Sequence, residues 1–244
     1  MKIIIHGSTG RMGQNLIQAL SKNHSLAAGV SVDQETNAAE NKYHSLPEFT
    51  GEADLIIDFS HHTAIGAVMD YAEARKLPVV VGTTGHTPEE KARIAEAAKT
   101  IPVFHSGNMS VGIALLVQLA KQTAKAFPDA DIEIIETHHN QKLDVPSGTA
   151  LMLADGIKSV KEDAVYNIGR PENGKRTKEE IGIHAIRLGN VVGIHEVLVS
   201  TGTQTITLKH EAHDRMLFAE GAVTAAEYLV GQPAGLYNME TMLG

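Results

Sequence analysis

Lys2-Ile3-Ile4-Ile5-His6-Gly7-Ser8-Thr9-Gly10-Arg11-Met12-Gly13 opens the chain, and its reading decides the fold. Three consecutive isoleucines form an apolar run without alternation, the pattern of a strand buried on both faces. The run ends in a glycine turn, after which Met12, Leu16 and Ala19-Leu20 recur at helical spacing. Gly7 permits a tight turn directly off the strand. The small Ser8 and Thr9, with Gly10, let main-chain N–H groups approach a pyrophosphate, and Gly13 lets the helix lie close on the sheet. The spacing is Gly-x-x-Gly-x-x-Gly, and many strand–helix turns use glycine for geometry alone. Position favours a dinucleotide: first strand, first helix, and an acid, Asp33, after the second strand where a ribose hydroxyl is held. A P-loop is excluded, because no Gly-Lys-Ser/Thr follows the turn.

Outward from this turn the same pattern repeats. Leu26–Val32, Asp54–Phe59, Pro78–Gly82 and Ile101–His105 read as strands, with a helix from about His62 to Lys76 between the second and third of these. Another helix starts at Thr87-Pro88-Glu89-Glu90, with Thr87 as N-cap, Pro88 in the first turn and Glu90 closing a capping box. Strands alternating with helices predict a parallel sheet covered on both faces, a Rossmann-like α/β domain. The turns Gly82-Thr83-Thr84-Gly85 and Ser106-Gly107-Asn108-Met109 follow the carboxyl ends of two strands, where open α/β sheets bind ligands. The candidate cofactor residues are therefore Gly7, Ser8, Thr9, Gly10, Arg11, Met12, Asp33, Gly82, Thr83, Thr84, Ser106, Gly107, Asn108 and Met109.

Beyond residue 109 the pattern changes. A long helix (about Ser110 to Phe127), a strand (Ile132–Thr137) and a helix (about Thr149 to Val160) precede three strands in succession: Ile181–Arg187, His195–Ser200 and Thr203–His210. Successive strands predict a second α+β domain with a mixed or antiparallel sheet. The tail from about Met216 to Val230 returns to helix. This gives a dinucleotide-binding domain over 1–109 and 216–244, and a second domain over 110–215. The polar stretch Arg170–Glu180 is the candidate mobile loop.

The second domain carries the densest chemistry: Glu136-Thr137-His138-His139-Asn140-Gln141-Lys142-Leu143-Asp144-Val145-Pro146-Ser147-Gly148-Thr149-Ala150. An imidazole delivers a proton near neutral pH, Lys142 supplies a compact positive charge, and Gly148 and Thr149 offer N–H groups at a helix start to a carboxylate. An exposed Lys142–Asp144 ion pair explains those two residues but not the cluster. A metal is not expected, because neighbouring strand residues such as His138 and His139 face opposite ways and no third ligand stands at zinc spacing. Of the thirteen histidines, His24, His44, His86, His210 and His213 read as solvated, and His61-His62 as a helix start.

The net charge of −8 argues against nucleic-acid partners, and no apolar run is long enough for a bilayer. Cysteine is absent, which excludes disulfides and thiol catalysis and fits a cytoplasmic location.

His138-His139-x-x-Lys142-x-Asp144-x-Pro146-Ser147-Gly148-Thr149-Ala150 resembles the signature of the 4-hydroxy-tetrahydrodipicolinate (dihydrodipicolinate) reductase family. Gly7-x-x-Gly10-Arg11-Met12-Gly13, Gly82-Thr83-Thr84-Gly85 and Asn108-Met109-Ser110-Val111-Gly112 are similar to that family's other motifs, so the likeness runs end to end. The resemblance implies reduction of 4-hydroxy-tetrahydrodipicolinate, a small dicarboxylate, with NADH or NADPH and release of water, on the diaminopimelate route to lysine. It implies His138 and Lys142 as catalytic residues, with His139, Ser147, Gly148 and Thr149 binding substrate. It further implies a homotetramer built through the second domain's sheet; the lack of a long apolar run argues against a membrane partner. Family members often carry an acid at the end of the second strand, where this chain has Ser31 and Val32. Asp33 stands in for it. Two other readings fit the residues: a different reductase on the same plan, and a non-enzymatic nicotinamide sensor, against which the proton-donor cluster speaks.

Overall fold

The computed structural model describes residues 1–20 and 23–244. They form two compact units, one of residues 1–110 with 216–244, the other of residues 111–215. The first unit begins with β1 (Lys2–His6), α1 (Arg11–Ala19), β2 (Ser25–Val30), β3 (Lys42–Tyr43) and β4 (Leu55–Asp58). It continues with α2 (Ile65–Arg75), β5 (Val79–Val81), α3 (Pro88–Ala97) and β6 (Pro102–His105). Ile3–Ile5, Leu55–Ile57 and Val79–Val81 are fully buried, as strands covered on both faces must be. The box at α3 forms as expected: the Thr87 hydroxyl accepts from Glu90 N, and the Glu90 carboxylate accepts from Thr87 N.

In the second unit, α4 (Val111–Ala126), β7 (Asp131–His138) and α5 (Gly148–Lys158) are followed by β8 (Val165–Ile168), β9 (Glu180–Arg187), β10 (Gly193–Ser200) and β11 (Thr205–Ala212). The sheet order is β11-β10-β7-β9-β8, with β10 antiparallel to both its neighbours and β7, β9 and β8 parallel. The sheet is mixed. Strands β9 and β10 are consecutive in sequence but do not pair, because β7 lies between them. One face packs Ile132, Ile134, Ile183 and Val197 against Leu116 and Ala120 of α4 and Leu153 and Ile157 of α5.

The chain then returns to the first unit through α6 (Met216–Leu229), β12 (Gly235–Tyr237) and α7 (Met239–Leu243). That completes a wholly parallel seven-stranded sheet of order β12-β6-β5-β4-β1-β2-β3. The order reverses between β1 and β4, which makes the carboxyl end of β1 the crevice of the fold.

The structure corrects one sequence expectation and adds three strands that the sequence reading did not include. The second strand stops at Val30, two residues early, because Ser31 turns the chain with Asp33 N bonded to its hydroxyl; Val32 is left 74% exposed. Strands β3, β8 and β12 are too short or too irregular in pattern to be read from sequence. At the edges of the Arg170–Glu180 stretch, Arg176 donates to Glu133 (2.5 Å) and to the Glu180 carbonyl (2.6 Å), and Arg170 pairs with Glu180 (3.0 Å); residues 171–175 between them are exposed.

Candidate active site

In the first unit the glycine turn sits at the reversal of strand order. Gly7 has φ +85°, and a Cβ there would lie 2.3 Å from the Phe59 carbonyl oxygen. At Gly13 a Cβ would lie 2.2 Å from the Gly7 carbonyl oxygen, so the first turn of α1 rests directly on the loop. The N-cap of α1 is Gly10, and no side chain caps it, which leaves first-turn N–H groups to an anion. This cradle, closed to any side chain, fits a dinucleotide pyrophosphate. Gly82 is tied to the same place, since a Cβ there would meet the Phe59 ring at 2.3 Å.

Beneath the turn, Asp58 is 1% exposed and accepts hydrogen bonds from Thr83 Oγ1 (2.6 Å) and Ser60 Oγ (2.7 Å), and it pairs with His6 Nδ1 at 2.6 Å. One buried carboxylate thereby fastens the ends of β1, β4 and β5. The Thr83 hydroxyl is committed to it, and Ser8, Thr83 and Met109 are all buried. Ser106 Oγ donates to the Asn108 carbonyl (2.7 Å), and Asn108 Oδ1 accepts from Ser110 N (2.8 Å), which shapes the last turn. At the end of β2, Thr9 and Ser31 pair through their hydroxyls at 2.7 Å, and Asp33 is exposed. Arg11 is exposed at the first residue of α1.

In the second unit, the two-residue period of β7 puts Ile132, Ile134, Glu136 and His138 on its helix-facing side, and His139 follows as a half-buried residue. Glu136 is fully buried. Its Oε2 lies 2.5 Å from His138 Nδ1 and 2.9 Å from Arg187 Nη1, while Oε1 accepts from Arg187 Nη2 (3.0 Å) and Ser147 N (3.1 Å). Burial opposes ionisation of this carboxyl, but the bonds from His138 and Arg187 outweigh it and bring its pKa down to about 2. His195 of β10 sets its ring edge-on to His138, centroids 5.1 Å apart, with Nε2 3.2 Å from Ser147 Oγ. Burial, reinforced by His138, pushes the His195 pKa down to about 3, so it is neutral near pH 7.

The structure thus brings His138 and Ser147 together and adds three residues that sequence reading did not single out as site residues: Glu136, Arg187 and His195. Glu136 left a usable signal, an acid on the buried face of a strand. Arg187 and His195 come from strands 49 and 57 residues beyond His138 and left none. Ser147 caps α5, its hydroxyl accepting from Ala150 N at 3.2 Å. Gly148 is exposed at the helix start. Lys142 is held in the loop by Asp144 at 2.8 Å, and that bond keeps the Asp144 carboxyl below its ordinary range. Among the histidines read as solvated, His86 and the His24 ring are buried, the latter bonded to Glu227 at 2.8 Å; His61 caps a short helix, as expected. Among the described residues no cluster suited to a metal ion occurs, and no helix is long and apolar enough to cross a membrane.

A side-chain-free phosphate cradle in one unit and a carboxylate-held imidazole in the other define an oxidoreductase that uses a nicotinamide dinucleotide. Family models described as dihydrodipicolinate reductase, N-terminus and C-terminus, match residues 1–109 and 112–243. The chain belongs to the dihydrodipicolinate reductase family. It is 44% identical to a 4-hydroxy-tetrahydrodipicolinate reductase of Caldanaerobacter subterraneus subsp. tengcongensis, covering 100% of this chain and 98% of that one. It is 39% identical to the one from Rickettsia rickettsii, covering 98% of each. A dipicolinate-bound dihydrodipicolinate reductase from Paenisporosarcina sp. TG-14 shares the fold, with a TM-score of 0.83 at 24% identity over 98% of this chain and 97% of that one.

Proposed function

We propose that the chain reduces 4-hydroxy-tetrahydrodipicolinate to tetrahydrodipicolinate, in the lysine branch that passes through diaminopimelate, with His138 as its proton donor. The observation that carries this reading is the His138 imidazole on an ionised, fully buried carboxylate, beside the first turn of a helix. It stands in a chain related over its whole length to named reductases of that substrate. The cofactor, NADH or NADPH, supplies a hydride. Gly7, Gly10 and the first turn of α1 would hold its pyrophosphate, with the Gly82–Thr84 and Ser106–Met109 turns as its further binding residues. Loss of the 4-hydroxyl as water leaves a conjugated imine. Addition of hydride to the ring carbon that bore the hydroxyl moves an electron pair toward nitrogen, and one proton must then reach the adjacent carbon.

His138 delivers that proton. Lys142 and the α5 first turn neutralise the two substrate carboxylates, His139, Gly148 and Thr149 taking one and Lys142 exchanging Asp144 for the other. Ser147 contributes by shaping the helix start. The proposed assembly is a cytoplasmic homotetramer. Its support is the sheet of the second unit, where α4 and α5 cover one face and the other carries half-buried Ile135, Ile194 and Leu198.

The decisive experiment is a coupled assay with enzymatically generated substrate, following NAD(P)H absorbance. His138→Gln and Lys142→Ala should each lower kcat on the order of 10²-fold or more while NADH affinity stays at the wild-type value. Lys142→Arg should not restore activity, because a planar guanidinium presents its donors differently. Wild-type turnover in both the His138 and Lys142 variants would refute the assignment.

A further inference from the structure

We propose that Glu136 is the positioning residue of the proton-transfer site: its carboxylate holds His138 with a proton on Nδ1 and leaves Nε2 as the atom that gives its proton to the substrate. The proposal rests on the reading of His138 as proton donor.

The geometry leaves few alternatives. An ionised carboxylate only accepts hydrogen bonds, and Glu136 Oε2 lies 2.5 Å from Nδ1, so that nitrogen is the donor. Three further N–H groups converge on the same carboxylate, two from Arg187 and one from Ser147, at 2.9 to 3.1 Å. Every one of them stabilises the anion and none the acid. The opposite edge of the ring has room because residue 193 is glycine: a Cβ there would lie 3.2 Å from His138 Nε2.

The charged and titratable groups around His138 come from five places. Glu136 is on its own strand, Arg187 on β9, His195 on β10 with its register partner His210 on β11, and Lys142 with Asp144 in the loop. Arg187 is spent on Glu136, Lys142 on Asp144, and His195 is neutral through burial. Glu136 is therefore the anion in contact with the His138 ring, at Nδ1.

In the step, the Nε2–H bond of the imidazolium breaks and the proton bonds to the carbon next to the one that received hydride. The carbon–nitrogen double bond re-forms, and the ring is left neutral with Nδ1–H still on Glu136. Solvent then returns a proton to Nε2.

The test uses the full chain with Glu136→Gln, which keeps the shape, and Glu136→Asp, which keeps the charge but withdraws it by one methylene. In the wild type, heteronuclear NMR of the histidine ring nitrogens should find neutral His138 as the Nδ1–H tautomer. In Glu136→Gln, kcat should fall on the order of 10²-fold with the KM for NADH unchanged. Glu136→Asp should recover part of the loss. A role in packing alone would be met by the isosteric Gln, which would then keep the wild-type kcat. An Nε2–H tautomer in the wild type, or wild-type kcat in Glu136→Gln, overturns the proposal. Absence of wild-type turnover would instead sink the functional reading, and the tautomer measurement, which needs no substrate, would still decide the role of Glu136. If Glu136→Gln fails to fold, Glu136→Asp and the wild-type tautomer decide it.

Discussion

Gly7 and Asp33 show how differently single residues expose their roles. At Gly7 the left-handed φ and the Phe59 carbonyl 2.3 Å from a would-be Cβ both exclude a side chain. Gly7→Ala should therefore cost upwards of about 1–3 kcal/mol from backbone strain alone. It should also abolish NADH binding, and thermal unfolding with and without NADH reads both. The glycine pattern was legible in sequence because the turn needs a residue type, not a partner. The strand end to which we assign cofactor choice was less so. The 2′-phosphate of NADPH needs a cation, whereas the 2′-hydroxyl of NADH needs an acceptor. Exposed Asp33 is the acid at this place, and Lys42, the next cation along the chain, is bonded to Glu40. The chain should thus use NADH at least as well as NADPH, with Asp33→Ala shifting the kcat/KM ratio toward NADPH. A strong wild-type preference for NADPH would move the specificity to Arg11. Glu136 sits between these cases: its place on the buried face follows from the two-residue period, but its bonds to Arg187 do not.

Elements were read best where one of them alone sets the pattern. The strands β1, β4 and β5, each with an uninterrupted apolar run of three residues, and the capped helix α3 announce themselves. The pairing of β7 with both β9 and β10 does not, because adjacency in a mixed sheet is decided by packing over α4 and α5. That pairing assembles the cluster, and it also makes the cluster sensitive to acid. His195 has its pKa lowered from 6.5 to about 3 by burial and by His138. Near pH 5 the unfolded chain therefore binds a proton at this residue that the folded chain refuses. Its contribution to stability is complete above the unfolded value and is lost as pH falls through the window toward 3. Glu136, lowered from 4.5 to about 2, adds a second loss with the same sign at lower pH. Each group should contribute a slope of roughly 1.4 kcal/mol per pH unit inside its window. Denaturant titrations should show His195→Gln flattening the upper part of this fall; an unchanged slope would show that His195 is protonated when folded. The element that joins the two groups is α5, and Ser147→Ala should cost about 1 kcal/mol for the lost cap, plus about 1–3 kcal/mol for stranding buried His195 Nε2.

At the scale of the molecule, the nucleotide-binding unit is discontinuous in sequence, and that discontinuity makes a prediction that motif reading alone would not. All the cofactor candidates, from Gly7 to Met109, precede residue 111, so a chain ending at residue 215 retains every one of them. The chain nonetheless comes back through α6, whose Ala219, Ala222, Ala225, Ala226 and Leu229 are fully buried, and through β12, which adds the last parallel strand beside β6. Helix α6 packs on α1 and on β4, β5 and β6. Removing it exposes apolar area on the face that carries α1, the helix whose first turn is to hold the pyrophosphate. A milder probe points the same way: Leu229→Ala should destabilise the protein by about 2–5 kcal/mol. NADH present at 100 times its Kd should stabilise the wild type by about 2.7 kcal/mol through linkage. In the 1–215 chain that increment should disappear, with no saturable change in NADH fluorescence. If the shortened chain binds NADH with wild-type affinity, the first 110 residues make a self-sufficient nucleotide site and the closing helix is dispensable to it.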